Sequence, residues 1–97
     1  MITEQAILPV LPGREADFED AFRQARPLIS GMAGFLGLEL LRSRETPHEY
    51  LLLVRWETVE HHTEGFRGSP EYARWKALLH DFYAPFPRVE HFVEVTS

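Results

Sequence analysis

The stretch Trp56-Glu57-Thr58-Val59-Glu60-His61-His62-Thr63-Glu64-Gly65-Phe66-Arg67-Gly68-Ser69-Pro70-Glu71-Tyr72-Ala73-Arg74-Trp75 decides how the chain folds. Ser69-Pro70-Glu71 is a helix start: a hydroxyl to cap the free N–H groups, a proline where the missing N–H is harmless, and an acid at the positive end of the helix. Tyr72, Trp75, Leu78, Leu79 and Phe82 follow at helical spacing until Pro85 and Pro87 stop the helix. Upstream, Thr58 caps a shorter helix that ends near Glu64-Gly65, with Val59 and His62 turned inward, and a loop spans Gly65 to Gly68. A broken helix therefore occupies the second half of the chain.

On the N-terminal side of this stretch, Tyr50-Leu51-Leu52-Leu53-Val54-Arg55-Trp56 reads as a strand. The polar turn Glu45-Thr46-Pro47-His48-Glu49 joins it to a preceding strand, Phe35 to Arg44, making an antiparallel hairpin. That preceding strand is apolar on both parities, so both of its faces are expected to be covered. Earlier still, Phe18, Ala21, Phe22, Ala25, Leu28 and Ile29 form the apolar stripe of an amphipathic helix, with Pro27 thinning its last turn. Ile2 to Val10 is a strand with one face well buried and the other partly so. After the broken helix, Val89 to Val95 is a closing strand with Val89, His91, Val93 and Val95 on one face.

The order strand, helix, strand, strand, broken helix, strand predicts one domain over 1–97 of the α+β class. The arrangement is ferredoxin-like βαββαβ, an antiparallel four-stranded sheet with helices on one face. Strands that are apolar on both sides then leave a greasy outer sheet face. Burying it between two copies predicts a homodimer through the sheet face, closing a dimeric α+β barrel.

Composition narrows the partners. The formal net charge is -5 and no basic patch suits a phosphate backbone, so no nucleic-acid partner is expected. There is no cysteine. His61 and His62 are adjacent rather than at ligand spacing, so no metal site is expected either. Met1-Ile2-Thr3-Glu4-Gln5 has neither a basic n-region nor a long apolar core, and no apolar run approaches the ~20 residues of a membrane span. A cytoplasmic chain with no membrane partner is the expectation.

Gly31 to Phe35 (Gly-x-x-Gly-Phe), the Trp56-Glu57 pair leaving the third strand and the helix after Ser69-Pro70 resemble the antibiotic biosynthesis monooxygenase (ABM) domain, over essentially the whole chain. The resemblance implies the dimeric α+β barrel, and either a cofactor-free oxygenase of phenolic or quinol substrates or a haem-degrading monooxygenase. The haem branch uses an Asn in the first strand, a Trp before the last helix and a His within it. The corresponding residues here are Ala6, Phe66 and Lys76, so no cofactor is expected; His80, one turn beyond Lys76, keeps haem degradation as a lesser alternative.

Oxygenation without a cofactor requires a group to take the substrate hydroxyl proton and another to stabilise the charge that develops. His62 is the candidate base and Arg67, flanked by Phe66 and Gly68, the candidate partner of a phenolate; each also has a plainer reading, as a half-buried helix histidine and as a salt-bridge arginine. Phe66, Trp75, Phe82, Tyr83 and Phe86 either line an aromatic pocket for a small aromatic molecule or belong to the core. His91 interrupts an apolar strand face, so it lines the cavity or bonds across the dimer interface. Trp56 reads as structural and His61 as solvent-facing. Two functions follow: a small cofactor-independent monooxygenase of an aromatic or quinol substrate, or a non-enzymatic small-ligand-binding or stress-related module. A purely structural dimer is the third possibility, if aromatic side chains fill the cavity.

Overall fold

The computed structural model describes residues 1–95; Thr96 and Ser97, the last two of the domain expected over 1–97, lie outside the described residues. Strands β1 (Ile2–Pro9), β2 (Phe35–Arg42), β3 (Glu49–Trp56) and β4 (Val89–Phe92) form one antiparallel sheet in the order β2-β3-β1-β4. Helices α1 (Glu15–Ser30) and α2 (Pro70–Leu79) cover one face of it. This is the ferredoxin-like α+β arrangement expected from the order of elements.

Strand parity decides which face the helices cover. Glu4, Ala6 and Leu8 of β1 and Tyr50, Leu52, Val54 and Trp56 of β3 are buried, in register with Leu38 of β2. Against them pack Phe18, Phe22, Ala25 and Ile29, the predicted stripe of α1, and Trp75 and Leu79 of α2. The helix runs through Pro27 to Ser30, so the proline loses one hydrogen bond without ending it. Ser69 caps α2 as its sequence requires, its hydroxyl accepting from the Tyr72 N–H at 3.1 Å.

The segment between β3 and α2 departs from the expected short helix and loop. Residues His61–Phe66 form a π-helix, in which the Arg67 N–H donates to the His62 carbonyl at 3.1 Å. The wide coil extends through Gly65 and carries both His62 and Phe66 into the core. Thr58 still caps this segment, accepting from the His61 N–H. His61 is half-buried rather than solvent-facing: its ring shares a 2.8 Å hydrogen bond with Thr58 Oγ1 and lies over Gly34. Gly34 sits at φ 82°, and a Cβ there would collide with that ring, so both backbone and packing require glycine.

Three further boundaries shift. α2 ends at Leu79 and tightens into a 3-10 turn, His80–Phe82, before Tyr83 becomes extended. β2 stops at Arg42 rather than Arg44 and carries a bulge between Phe35 and Gly37 that leaves Leu36 half exposed. β4 ends at Phe92 rather than Val95, because its pairing with β1 runs from Ala6 only to Thr3 and little of β1 remains beyond. The sheet face away from the helices is apolar but uncovered: Ile7, Leu36, Leu41 and Phe92 are all at least 42% exposed. Coverage of both faces of β2 is therefore not met within one chain. Among the described residues, no helix is long and apolar enough to cross a membrane.

Candidate functional site

A cavity of ≈ 340 Å³ lies between the helix-side face of β1, β3 and β4 and the elements from the π-helix onward. Its floor is Ala6, Leu8, Leu52 and Val89, and its aromatic walls include Phe66, Tyr72, Trp75, Tyr83 and Phe86. Phe66 makes edge-on contacts with Tyr72 and Trp75 at ring-centre separations of 5.2 and 5.5 Å. Its polar end is formed by Glu4, His62 and Arg67.

Glu4 is the residue that sequence reasoning missed. It shares parity with Ala6, Leu8 and Val10, so an acid in a buried register was a readable signal. Its side chain is 7% exposed. Oε1 accepts from the indole N–H of Trp56 at 2.9 Å and lies 3.3 Å from His62 Nε2. Among the described residues no donor reaches its other oxygen. Burial lifts the Glu4 carboxyl to about 7, against the opposing pull of the Trp56 hydrogen bond and the Arg67 charge.

His62 is held at three points. Its ring stacks on Trp56 at 5.7 Å and 21°, its Nε2 faces Glu4, and its Nδ1 shares a 2.8 Å hydrogen bond with His91 Nε2. Burial first, then the charges of Arg67 and His91, lowers its pKa to about 3. The 3.3 Å contact with Glu4 is thus that of a neutral imidazole rather than an ion pair, and Nδ1 is engaged by His91. His91, paired opposite Glu4 on the edge strand and largely exposed, is held below the ordinary imidazole range by partial burial and by Arg67. It joins the site through His62 within the same chain.

The other candidates separate clearly. Phe66, Arg67, Trp75 and Tyr83 line the cavity with His62. Arg67 is exposed at the rim and, among the described residues, takes no salt-bridge partner. Phe82 does not line the cavity; the 3-10 turn rotates it toward α1, where it meets Phe18 edge-on at 5.7 Å under the Arg14 guanidinium. Tyr72 and His80, absent from the sequence-based set, stand on the cavity side of α2 and just beyond it. Helical spacing relates them through Lys76, whose ammonium lies 5.7 Å over the Tyr72 ring.

The donor set does not fit haem iron. Ala6 and Phe66 offer no ligand or hydrogen bond, Lys76 is turned onto Tyr72, and the His80 ring is packed edge-on against Phe86 at 4.9 Å. Among the described residues no three His, Asp or Glu side chains gather as a metal site. A wider depression of ≈ 550 Å³ lies on the opposite, uncovered sheet face, lined by Thr3, Gln5, Leu53, Arg55 and Phe92. It has none of the convergent buried polar groups of the helix-side cavity.

Comparison with known proteins places this geometry in context. A family model described as antibiotic biosynthesis monooxygenase matches residues 1–78. The protein named Uncharacterized protein YczJ of Bacillus subtilis (strain 168) is 61% identical over 95 residues, 98% of this chain and 100% of that one. A solved structure from Bordetella bronchiseptica, provisionally named an antibiotic biosynthesis monooxygenase, is 44% identical with a TM-score of 0.92, over 98% of this chain and 97% of that one. SnoaB, a cofactor-independent oxygenase from Streptomyces nogalater, superposes with a TM-score of 0.86 at 19% identity, over 99% and 94% of the two chains, a likeness of fold alone.

Proposed function

Because the chain belongs to the antibiotic biosynthesis monooxygenase family, we propose that its helix-side cavity binds a small hydroxyaromatic or quinol compound and oxygenates it with O2 and no cofactor. The observation that carries this reading is the convergence of Glu4, His62 and Arg67 at one end of an aromatic cavity. A ring stacks among Phe66, Trp75 and Tyr83, and its hydroxyl meets the polar end. Loss of the hydroxyl proton leaves an electron-rich ring that reacts with O2. Arg67, a permanent cation with no carboxylate partner among the described residues, stabilises the anion that forms. With an anthrone, the substrate itself supplies the electrons: the CH2 becomes C=O and the second oxygen atom leaves as water.

Oxygen uptake with a panel of anthrones and hydroquinones tests this. Arg67→Ala is expected to lower kcat/KM by ~10²-fold. Stability should stay within about 0.5 kcal/mol, since the side chain is exposed. No uptake above buffer with any compound overturns the oxygenase reading.

A second reading, a non-enzymatic ligand-binding module, draws on a different fact. Among the described residues, every buried side-chain nitrogen and oxygen already has a hydrogen-bond partner, as in a site whose polar groups satisfy one another. It is supported instead if the same compounds raise the melting temperature without oxygen consumption.

We also propose that two copies pack through the uncovered sheet faces, around Ile7, Leu41, Leu51 and Leu53. Light scattering at micromolar concentration should return twice the 11.3 kDa chain mass, and Ile7→Glu with Leu41→Glu should return one chain. A monomeric mass for the unaltered protein would reject the dimer.

A further inference from the structure

We propose that Glu4 takes the proton of the bound substrate and that His62 and His91 form a wire which passes protons between Glu4 and solvent. The inference rests on the hydroxyaromatic reading of the same cavity, and adds the group that receives the proton and the route by which it leaves.

The geometry is a continuous chain. Glu4, at the polar end of the cavity, lies 3.3 Å from His62 Nε2, and His62 Nδ1 lies 2.8 Å from His91 Nε2. His62 is 2% exposed, whereas His91 stands on the edge strand in contact with water. The chain thus begins at a carboxyl inside the cavity, crosses one buried imidazole and ends at an exposed one. Trp56 fixes the inner end by donating to Glu4 Oε1, and Glu4 lines the cavity.

Protons balance along this chain without charging His62. When Glu4 is protonated, its O–H donates to His62 Nε2, the His62 Nδ1–H donates to His91 Nε2, and the His91 Nδ1–H faces water. A concerted shift moves one proton at each link. One proton leaves at His91 Nδ1, Glu4 becomes a carboxylate, and both imidazoles finish neutral with their hydrogens reversed. That carboxylate then accepts the substrate hydroxyl proton, forming the Glu4 O–H and breaking the substrate O–H bond, and rotation of the carboxyl and of both imidazole rings restores the starting hydrogens before the next turnover. Burial that resists an imidazolium at His62 suits a link that transmits a proton and does not store it. A carboxyl lifted to about 7 suits an acceptor working near neutrality. The charged and titratable groups facing Glu4 are His62 and Arg67 of the π-helix region and His91 of β4, with Tyr72, His80 and Tyr83 on the farther walls.

The test has two arms. The first needs no substrate: carbon and nitrogen NMR on labelled protein follow the Glu4 carboxyl and the His62 ring. The Glu4 carboxyl is expected to titrate near neutrality, and the His62 ring N–H to exchange with water at least ~10-fold more slowly in His91→Phe, which keeps the bulk but removes the exit. A Glu4 midpoint in the ordinary carboxylate range, or exchange unchanged or faster in His91→Phe, overturns the wire.

The second arm uses whichever anthrone or hydroquinone the protein consumes oxygen with. For the unaltered protein kcat/KM should fall as pH drops below about 7, the value to which burial lifts Glu4. Glu4→Gln should erase that limb and lower kcat by ~10²-fold or more, with KM little changed. His91→Asn, which can still donate to His62 but cannot relay, should lower kcat without raising KM, and added free imidazole should restore it. Glu4→Gln retaining the acid limb and most of its kcat, or His91→Asn matching the unaltered protein, overturns the proposal. If no compound is consumed while the first arm gives the expected exchange and titration, the oxygenase reading fails and the proton path stands.

Discussion

Trp56→Ala is expected to abolish cooperative folding at 37 °C, the largest single-residue effect in the molecule. The side chain is fully buried and touches Phe35 edge-on, stacks on His62 and tilts against Phe66. Truncating a buried tryptophan removes its transfer energy and leaves a cavity, about 3–5 kcal/mol together. It also removes the N–H that donates to Glu4, which orphans a buried acceptor at a further cost of about 1–3 kcal/mol. The sum approaches the whole stability of a domain this size, about 5–15 kcal/mol. Trp56→Phe separates the two contributions, since it keeps most of the volume and loses only the donor. Its penalty should grow as pH rises, because the carboxylate needs that donor more than the carboxylic acid does. Urea unfolding followed by far-ultraviolet circular dichroism, at one fixed protein concentration, checks both variants. A Trp56→Ala protein within about 2 kcal/mol of the unaltered one would show that this wall does not hold the core together.

The second large effect is a pH profile governed by two buried groups that oppose each other. Glu4 is raised from 4.5 to about 7, so the folded state holds its proton more tightly than the unfolded chain does. Its contribution to stability is complete below 4.5 and is lost as pH rises through 7. At 1.36 kcal/mol per unit, that loss is about 3 kcal/mol. His62 is lowered from 6.5 to about 3, so the folded state resists protonating it. Its contribution is complete above 6.5 and is lost as pH falls toward 3. Between 4.5 and 6.5 the two slopes cancel, which predicts a broad plateau of maximum stability there. Replacing one partner exposes the other: His62→Gln should become progressively less stable from pH 4.5 to 7, whereas Glu4→Gln should lose the alkaline decline and keep the acid one. Urea melts at pH 4, 5.5 and 8 on all three proteins read these slopes as differences. If Glu4→Gln and the unaltered protein decline equally toward pH 8, ionisation of Glu4 is not the cause.

Much of the architecture was legible in the chain because local physics and tertiary packing agreed there. The α1 stripe of Phe18, Phe22, Ala25 and Ile29 is buried as its spacing requires, and Ser69-Pro70 caps α2. The misread boundaries are places where a long-range partner overrode a local pattern. Val93 and Val95 continue the strand alternation of β4, yet pairing stops at Phe92 because β1 runs out. Phe82 continues the helical period of α2, yet the tightening after Leu79 turns it onto Phe18 and away from the cavity. The π-helix has no periodic signature that separates it from an α-turn followed by a glycine loop, so Phe66 reads as loop while it is in fact core.

The candidate site divides along the same line. Sequence alone singled out His62, Phe66 and Arg67 in one stretch and His91 as the polar residue on an apolar face. It could not join His62 to His91, because the hydrogen bond between them spans 29 positions and exists only once β4 lies beside β1. Nor did it single out Glu4, which is 52 positions from the Trp56 that binds it and looks, as a residue type, like any solvated acid. What the chain determined by itself was periodicity: which residues form strands and helices, and therefore the α+β order. What only the tertiary structure decided was the chemistry of the cavity, because the ionisation of Glu4 and His62 depends on burial and on neighbours brought together from three strands and a π-helix, and neither quantity is a property of local sequence.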